Sequence, residues 1–220
     1  MLLIVNNSNE NTDIVNYIKT KKRLASKLNT NYKMTQELKK KIRKIGVDFI
    51  NVKSRDEMVK VLNERKGEIK GIIMGGSILN YTDKLCVCSI NNNMVALNSF
   101  NVPILGICFG FQSVIFGFGG LIGKLDKKQY GFKKTIIDNE TPLFKGLDKY
   151  QKFKYFNGDY AEEAPPNFKI IANTNNGIIQ GVENSEKKIY GVQFHPEVSN
   201  ESGEKILKNF MEICKIKVNQ

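Results

Sequence analysis

The chain has 220 residues, of which 41% are hydrophobic and 25% charged, with a net charge of +12; this is the make-up of a globular protein and excludes a disordered one. No run approaches the roughly 18 apolar residues of a membrane span, and the start, MLLIVNNSNE, lacks the basic opening of a secretion signal. Four cysteines without an export signal fit a reducing, cytoplasmic location, and a single histidine, His195, excludes a His-rich metal centre.

Residues 2–5 are apolar and close on Asn6-Asn7-Ser8, which reads as a buried strand and a turn. Ile14 and Ile18, with Leu24 and Leu28, have helical spacing; Asn29-Thr30-Asn31 interrupts it, and Leu38, Ile42 and Ile45 resume it. Gly46 stops that helix, and 47–52 reads as a second strand. Met58, Val59 and Leu62 predict another helix, 69–74 a third strand closing on Gly75-Gly76, and 102–107 a fourth that runs into Cys108. Strands alternating with helices imply α/β architecture, an open, mostly parallel sheet covered by helices on both faces. The second half adds a small β-rich extension, with short strands over 133–137, 150–156, 169–172, 178–182 and 188–194, and a closing helix over 201–213. No repeat or linker divides the chain, so 1–220 reads as one domain.

The charge is concentrated. Between 19 and 44 there are eleven basic residues and one acidic residue, Glu37. A solvated lysine-rich face is the plainest reading, and a docking surface for a partner protein comes next. Nucleic acid comes last, because lysines outnumber arginines 30 to 4 and only Tyr17 and Tyr32 lie nearby for stacking.

The strongest chemical signal is Gly106-Ile-Cys108-Phe-Gly110-Phe-Gln112, where an apolar strand ends in Gly-x-Cys-x-Gly and turns helical. A nucleophile on a tight strand-to-helix turn needs small neighbours two residues either way. The partial positive charge of the following helix N-terminus favours a thiolate, and the Phe109 N–H is placed to stabilise an oxyanion. By itself the motif also suits a small buried cysteine between ordinary turn glycines. A cysteine nucleophile needs a base, and His195 lies at a strand's carboxyl end in Gly191-Val-Gln-Phe-His195-Pro-Glu197. Glu197 is two residues away to hold the second ring nitrogen, completing a Cys-His-Glu set for acyl transfer. Gly75-Gly76, at another strand end, is the candidate second oxyanion donor, or only a tight turn.

Two patterns fail their templates. The run 117–124 fits neither the dinucleotide fingerprint, which needs Gly at Ile122, nor the P-loop, which needs Gly at Phe118 and Ser or Thr at Leu125. Cys86-x-Cys88 has neither the spacing nor the partners of a zinc site, so no metal and no cofactor is expected.

Taken together, the Cys108 and His195 motifs resemble those of class I glutamine amidotransferases. The resemblance runs from the start to about Phe210 apart from the basic stretch 19–44, which reads as an insertion. It implies a flavodoxin-like fold and hydrolysis of glutamine to glutamate and ammonia through a thioester on Cys108. By position it implies oxyanion donors at Gly76 and Phe109, and glutamine contacts from Gln112, Asn157, Gly158 and Asp159. Lys128-Gln-Tyr130-Gly131, Pro142-Leu-Phe-Lys-Gly146, Asn157-Gly158-Asp159 and His195-Pro-Glu-Val198 are most similar to the glutaminase part of GMP synthetases. The partner implied is then a separate, ATP-dependent synthetase chain that takes the ammonia. Two positions depart from the pattern: Gly-Gly-Pro is Gly75-Gly76-Ser77, and Ser-His-Gly-Asp is Phe156-Asn157-Gly158-Asp159. Two other functions fit the same residues: a stand-alone γ-glutamyl peptide hydrolase, and a catalytically weak regulatory or binding protein that uses the basic segment.

Overall fold

A computed structural model of the chain describes residues 1–8, 22–77, 79–82 and 87–219, without side chains for 22–31 and 87–91. The helical spacing at Ile14 and Ile18 and the side chains of Cys86 and Cys88 lie outside the described residues. No helix among the described residues is long and apolar enough to cross a membrane.

Five parallel strands form one half of the sheet: β1 (Leu2–Val5), β2 (Phe49–Val52), β3 (Gly71–Met74), β4 (Ile104–Ile107) and β9 (Ile189–Val192), in the order β2-β1-β3-β4-β9. That is the flavodoxin-like order, with β9 in fifth place. The sheet continues antiparallel through β8 (Ile179–Asn184), β6 (Tyr150–Glu163), β5 (Leu121–Ile137) and β7 (Lys169–Asn173). Because β7 pairs with both β5 and β8, these four strands close a circuit.

Sequence alternation explains the layers. Leu2 and Ile4, Ile73, Leu105 and Ile107, and Tyr190 and Val192 face one core with the helices α1 (Lys22–Lys44) and α5 (Asn200–Ile213). Leu3 and Val5, Ile72 and Met74, Ile104 and Ile189 face the other, under α2 (Arg55–Glu64), α3 (Val87–Ser99) and α4 (Phe109–Gly117). Strands buried on both faces read as unbroken apolar runs, which is why these were visible in the sequence.

The basic stretch is differently built from its expectation. Helix α1 runs without interruption through Asn29-Thr30-Asn31. Its second half is core: Leu38 and Ile42, with Ile45 just beyond the helix end, are buried under the sheet, each stabilising by about 1.5–3 kcal/mol. Among the described side chains Lys33, Lys40, Arg43 and Lys44 remain exposed while Lys39 is buried, so most of the charge over 33–44 lies on the outer face of the helix. In α2 the buried face is Met58 and Val61, while Val59 points outward at 44% exposure.

Two glycines let α4 pack where it does. A Cβ on Gly106 would lie 2.5 Å from the Gly110 carbonyl oxygen, and one on Gly110 would lie 2.2 Å from that of Met74. Both obstacles are backbone and cannot rotate away. Gly110→Ala is therefore expected to destabilise the fold by about 3 kcal/mol, read as a lowered denaturation midpoint. An unchanged midpoint would show that α4 has room to shift.

Candidate active site

Register brings the site together. Met74 pairs with Gly106, Gly106 with Gly191 and Ile107 with Val192, so β3, β4 and β9 end level with one another. The residues that follow, Gly75-Gly76, Cys108 and Gln193-Phe194-His195, leave the sheet at one edge.

Cys108 occupies the turn from β4 into α4 with φ 53° and ψ −100°, a left-handed conformation that costs a non-glycine residue about 1–3 kcal/mol. Cys108 N–H donates to the Val192 carbonyl at 2.8 Å, which fixes the turn to β9. The side chain is 4% exposed.

His195 is held from several sides. Its Nδ1 lies 2.7 Å from Glu197 Oε1, and both side chains are buried. Its N–H donates to the Lys154 carbonyl at 2.9 Å, and Ser199 Oγ donates to its carbonyl at 2.7 Å while accepting from Lys154 N–H at 2.9 Å. Phe156 meets the ring edge-on at 5.7 Å. Burial alone would lower the imidazole pKa. That is the largest single influence, but the Glu197 carboxylate together with the charge and hydrogen bond of Cys108 outweighs it, so the pKa is raised to about 10. With Nδ1 facing Glu197, Nε2 is the nitrogen left for Cys108.

Gly76 abuts this pair: a Cβ there would sit 2.9 Å from His195 Cε1 and 3.6 Å from Cys108 Cβ. Ser77, where the family pattern has proline, accepts the Leu79 N–H at 3.3 Å and so ties the loop locally. Among the described residues neither the Gly76 nor the Phe109 N–H donates to a protein acceptor.

A cavity of about 190 Å3 opens on these groups. Cys108, His195, Gln112, Asn157, Gly158 and Asp159 all line it, so every pocket residue expected from the sequence is brought to one wall. Gln112 Nε2 donates to Gln193 Oε1 at 3.1 Å and to the Asp159 carbonyl at 3.3 Å, and Asn157 Nδ2 donates to that carbonyl at 2.9 Å. Asp159 accepts the Thr82 N–H at 3.1 Å. Asn157 Oδ1 is buried without a protein partner. Sequence reasoning missed Met34, Asn80 and Lys128 in the lining. Met34 comes from α1, whose position over the pocket no local pattern announces. Lys128 sits in the motif Lys128-Gln-Tyr130-Gly131, noticed for its family likeness and not for its reach. Among the described residues the lining carries one carboxylate, Asp159, which is engaged by Thr82.

Comparison with known proteins agrees with this geometry. Residues 28–214 match the family model for glutamine amidotransferase class-I, which begins inside the basic stretch. The chain is 41% identical over 152 residues to one subunit of the glutamine-hydrolyzing GMP synthase of Methanococcus aeolicus, covering 69% of this chain and 77% of that one. It is 43% identical over 118 residues to the corresponding subunit of Pyrococcus abyssi, covering 53% of this chain and 63% of that one. Against the glutamine-hydrolyzing GMP synthase of Clostridium tetani it is 43% identical over 119 residues, covering 53% of this chain but only 23% of that one. A solved structure from Thermoplasma acidophilum, described as that of a candidate GMP synthase subunit, superposes with a TM-score of 0.77 at 22% identity, over 98% of this chain and 94% of that one.

Proposed function

Because the chain belongs to the class I glutamine amidotransferase family, we propose that it is the glutamine-hydrolysing subunit of a two-chain GMP synthase, feeding ammonia to a separate ATP-dependent synthetase subunit. The observation that carries the reading is the buried His195, paired with Glu197 and lining one cavity with Cys108.

The chemistry follows from the charges. With its pKa raised, His195 is an imidazolium near neutral pH, held by the Glu197 carboxylate and facing Cys108. The thiolate attacks the γ-carboxamide carbon of glutamine, and the oxygen takes the charge between the Gly76 and Phe109 N–H groups. As the C–N bond breaks, His195 gives its proton to the leaving nitrogen, and ammonia departs from a γ-glutamyl thioester. Now neutral, His195 takes a proton from water, whose oxygen attacks the thioester; glutamate leaves and the ion pair is restored. Gln112, Asn157, Gly158 and Asp159, which line the cavity, hold the substrate. The γ-glutamyl peptide hydrolase and regulatory readings are not favoured, since the relatives described above are glutamine-hydrolysing GMP synthases.

The test combines the purified chain with the synthetase subunit, ATP, the nucleotide precursor of GMP and glutamine. GMP should form from glutamine, and glutamate should be released in equal amount. GMP formed from added ammonium but not from glutamine would overturn the pairing.

A further inference from the structure

The two oxyanion donors come from elements with no covalent link nearby, and one lies in a Gly-Gly loop that lacks the family's proline. Something must fix the loop's peptide planes. A buried side-chain relay does so from three elements. Asn7, just beyond β1, donates from Nδ2 to the Gly75 carbonyl at 2.8 Å and to Asn93 Oδ1 at 3.1 Å. Asn93, on α3, donates from Nδ2 to Ser113 Oγ at 2.7 Å. Ser113, on α4, donates to the Phe109 carbonyl at 3.0 Å. Asn7, Asn93 and Ser113 are 3%, 0% and 0% exposed.

The geometry of the peptide unit gives this relay its consequence. In a planar trans peptide the C=O of one residue and the N–H of the next point in opposite directions. The Gly75 carbonyl and the Gly76 N–H belong to one such plane. Holding the carbonyl against Asn7 therefore fixes the direction of the Gly76 N–H, in a residue whose Cβ position abuts His195 and Cys108. Gly75 N–H is held as well, donating to the Val5 carbonyl at 3.0 Å. At the far end, Ser113 anchors the first turn of α4, which carries the Phe109 N–H.

We propose that Asn7, Asn93 and Ser113 are positioning residues that set the Gly75–Gly76 peptide plane and hold it in register with the start of α4, doing here what a proline after the glycines would do by restricting the backbone. The inference rests on the thioester mechanism proposed above. None of the three side chains lines the cavity, so their effect is on transition-state charge and not on substrate binding.

The test is Asn7→Ala, with Ser113→Ala as a milder variant at the other end of the relay. Losing an oxyanion donor typically lowers kcat about 10^2–10^3-fold; Asn7→Ala is expected to lower kcat about 10^2-fold with the glutamine KM unchanged, and Ser113→Ala less. Affinity for the γ-semialdehyde of glutamate, which forms a tetrahedral adduct bearing the same oxygen, should fall by the same factor. The rate of Cys108 alkylation by iodoacetamide, which uses no oxyanion donor, should stay at the parent value and serves as the control for folding and for the thiolate. Parent-level kcat and semialdehyde affinity in both variants would overturn the inference. So would kcat and alkylation falling together, which would mark a merely structural role. Failure of the underlying mechanism shows separately, as glutamine hydrolysis in the parent chain that survives Cys108→Ala.

Discussion

Cys108→Ala is expected to reduce glutamine hydrolysis by about 10^5-fold or more, the order seen when a covalent nucleophile is removed from a triad. The remaining groups offer only binding and oxyanion stabilisation, and no thioester forms. The fold should persist: the alanine keeps the Cβ at a position that is already buried, and the strained turn is held by the backbone bond to Val192 and by α4 packing, none of which involves the sulfur. Paired with the synthetase subunit, the variant should still support GMP formation from ammonium. Glutamate release near the parent rate would show that hydrolysis does not pass through this sulfur.

Glu197→Gln is expected to act through the histidine. The carboxylate is the largest influence raising the His195 pKa, and burial, which lowers it, remains when the charge is gone. The imidazole pKa must therefore fall in the variant. In the proposed mechanism the protonated form expels ammonia, so activity is retained below the His195 pKa and lost as pH rises through it. The parent should keep its activity up to about pH 10 on this limb, and the variant should lose it at lower pH. At neutral pH kcat should fall about 10^2-fold, the value of a well-placed proton donor. The check is the pH profile of kcat for both proteins; an alkaline limb that does not move would mean that Glu197 has no electrostatic hold on the ring.

The parallel core of this fold was legible because β1, β3, β4 and β9 are buried on both faces and must be apolar throughout. The candidate site was legible because Cys108, His195 and Glu197 lie in two short motifs at strand ends, and Gly106 and Gly110 stand where a Cβ would meet backbone. Helix α3 was not read, since Asn92 and Asn93 are buried where a helical pattern calls for apolar residues. Asn93 is satisfied by partners that sequence spacing cannot reveal, Asn7 and Ser113. Most of β5 was missed as well. Its residues from Leu121 to Lys134 are exposed or half-buried, so no alternation marks them, and the strand exists through its long antiparallel pairing with β6. Asn6-Asn7-Ser8 read as a turn on composition; all three are buried, and Asn7 holds the Gly75 carbonyl, which composition does not reveal.

Affinity labelling with the diazoketone analogue of glutamine tests the central claim most directly. The reagent occupies a glutamine site and alkylates the nucleophile that meets its electrophilic carbon. One label per chain on Cys108, blocked by glutamine and accumulating in step with the loss of glutaminase activity, is the predicted result. Activity that persists in fully labelled protein, or a label carried on Cys214 instead, would contradict the account.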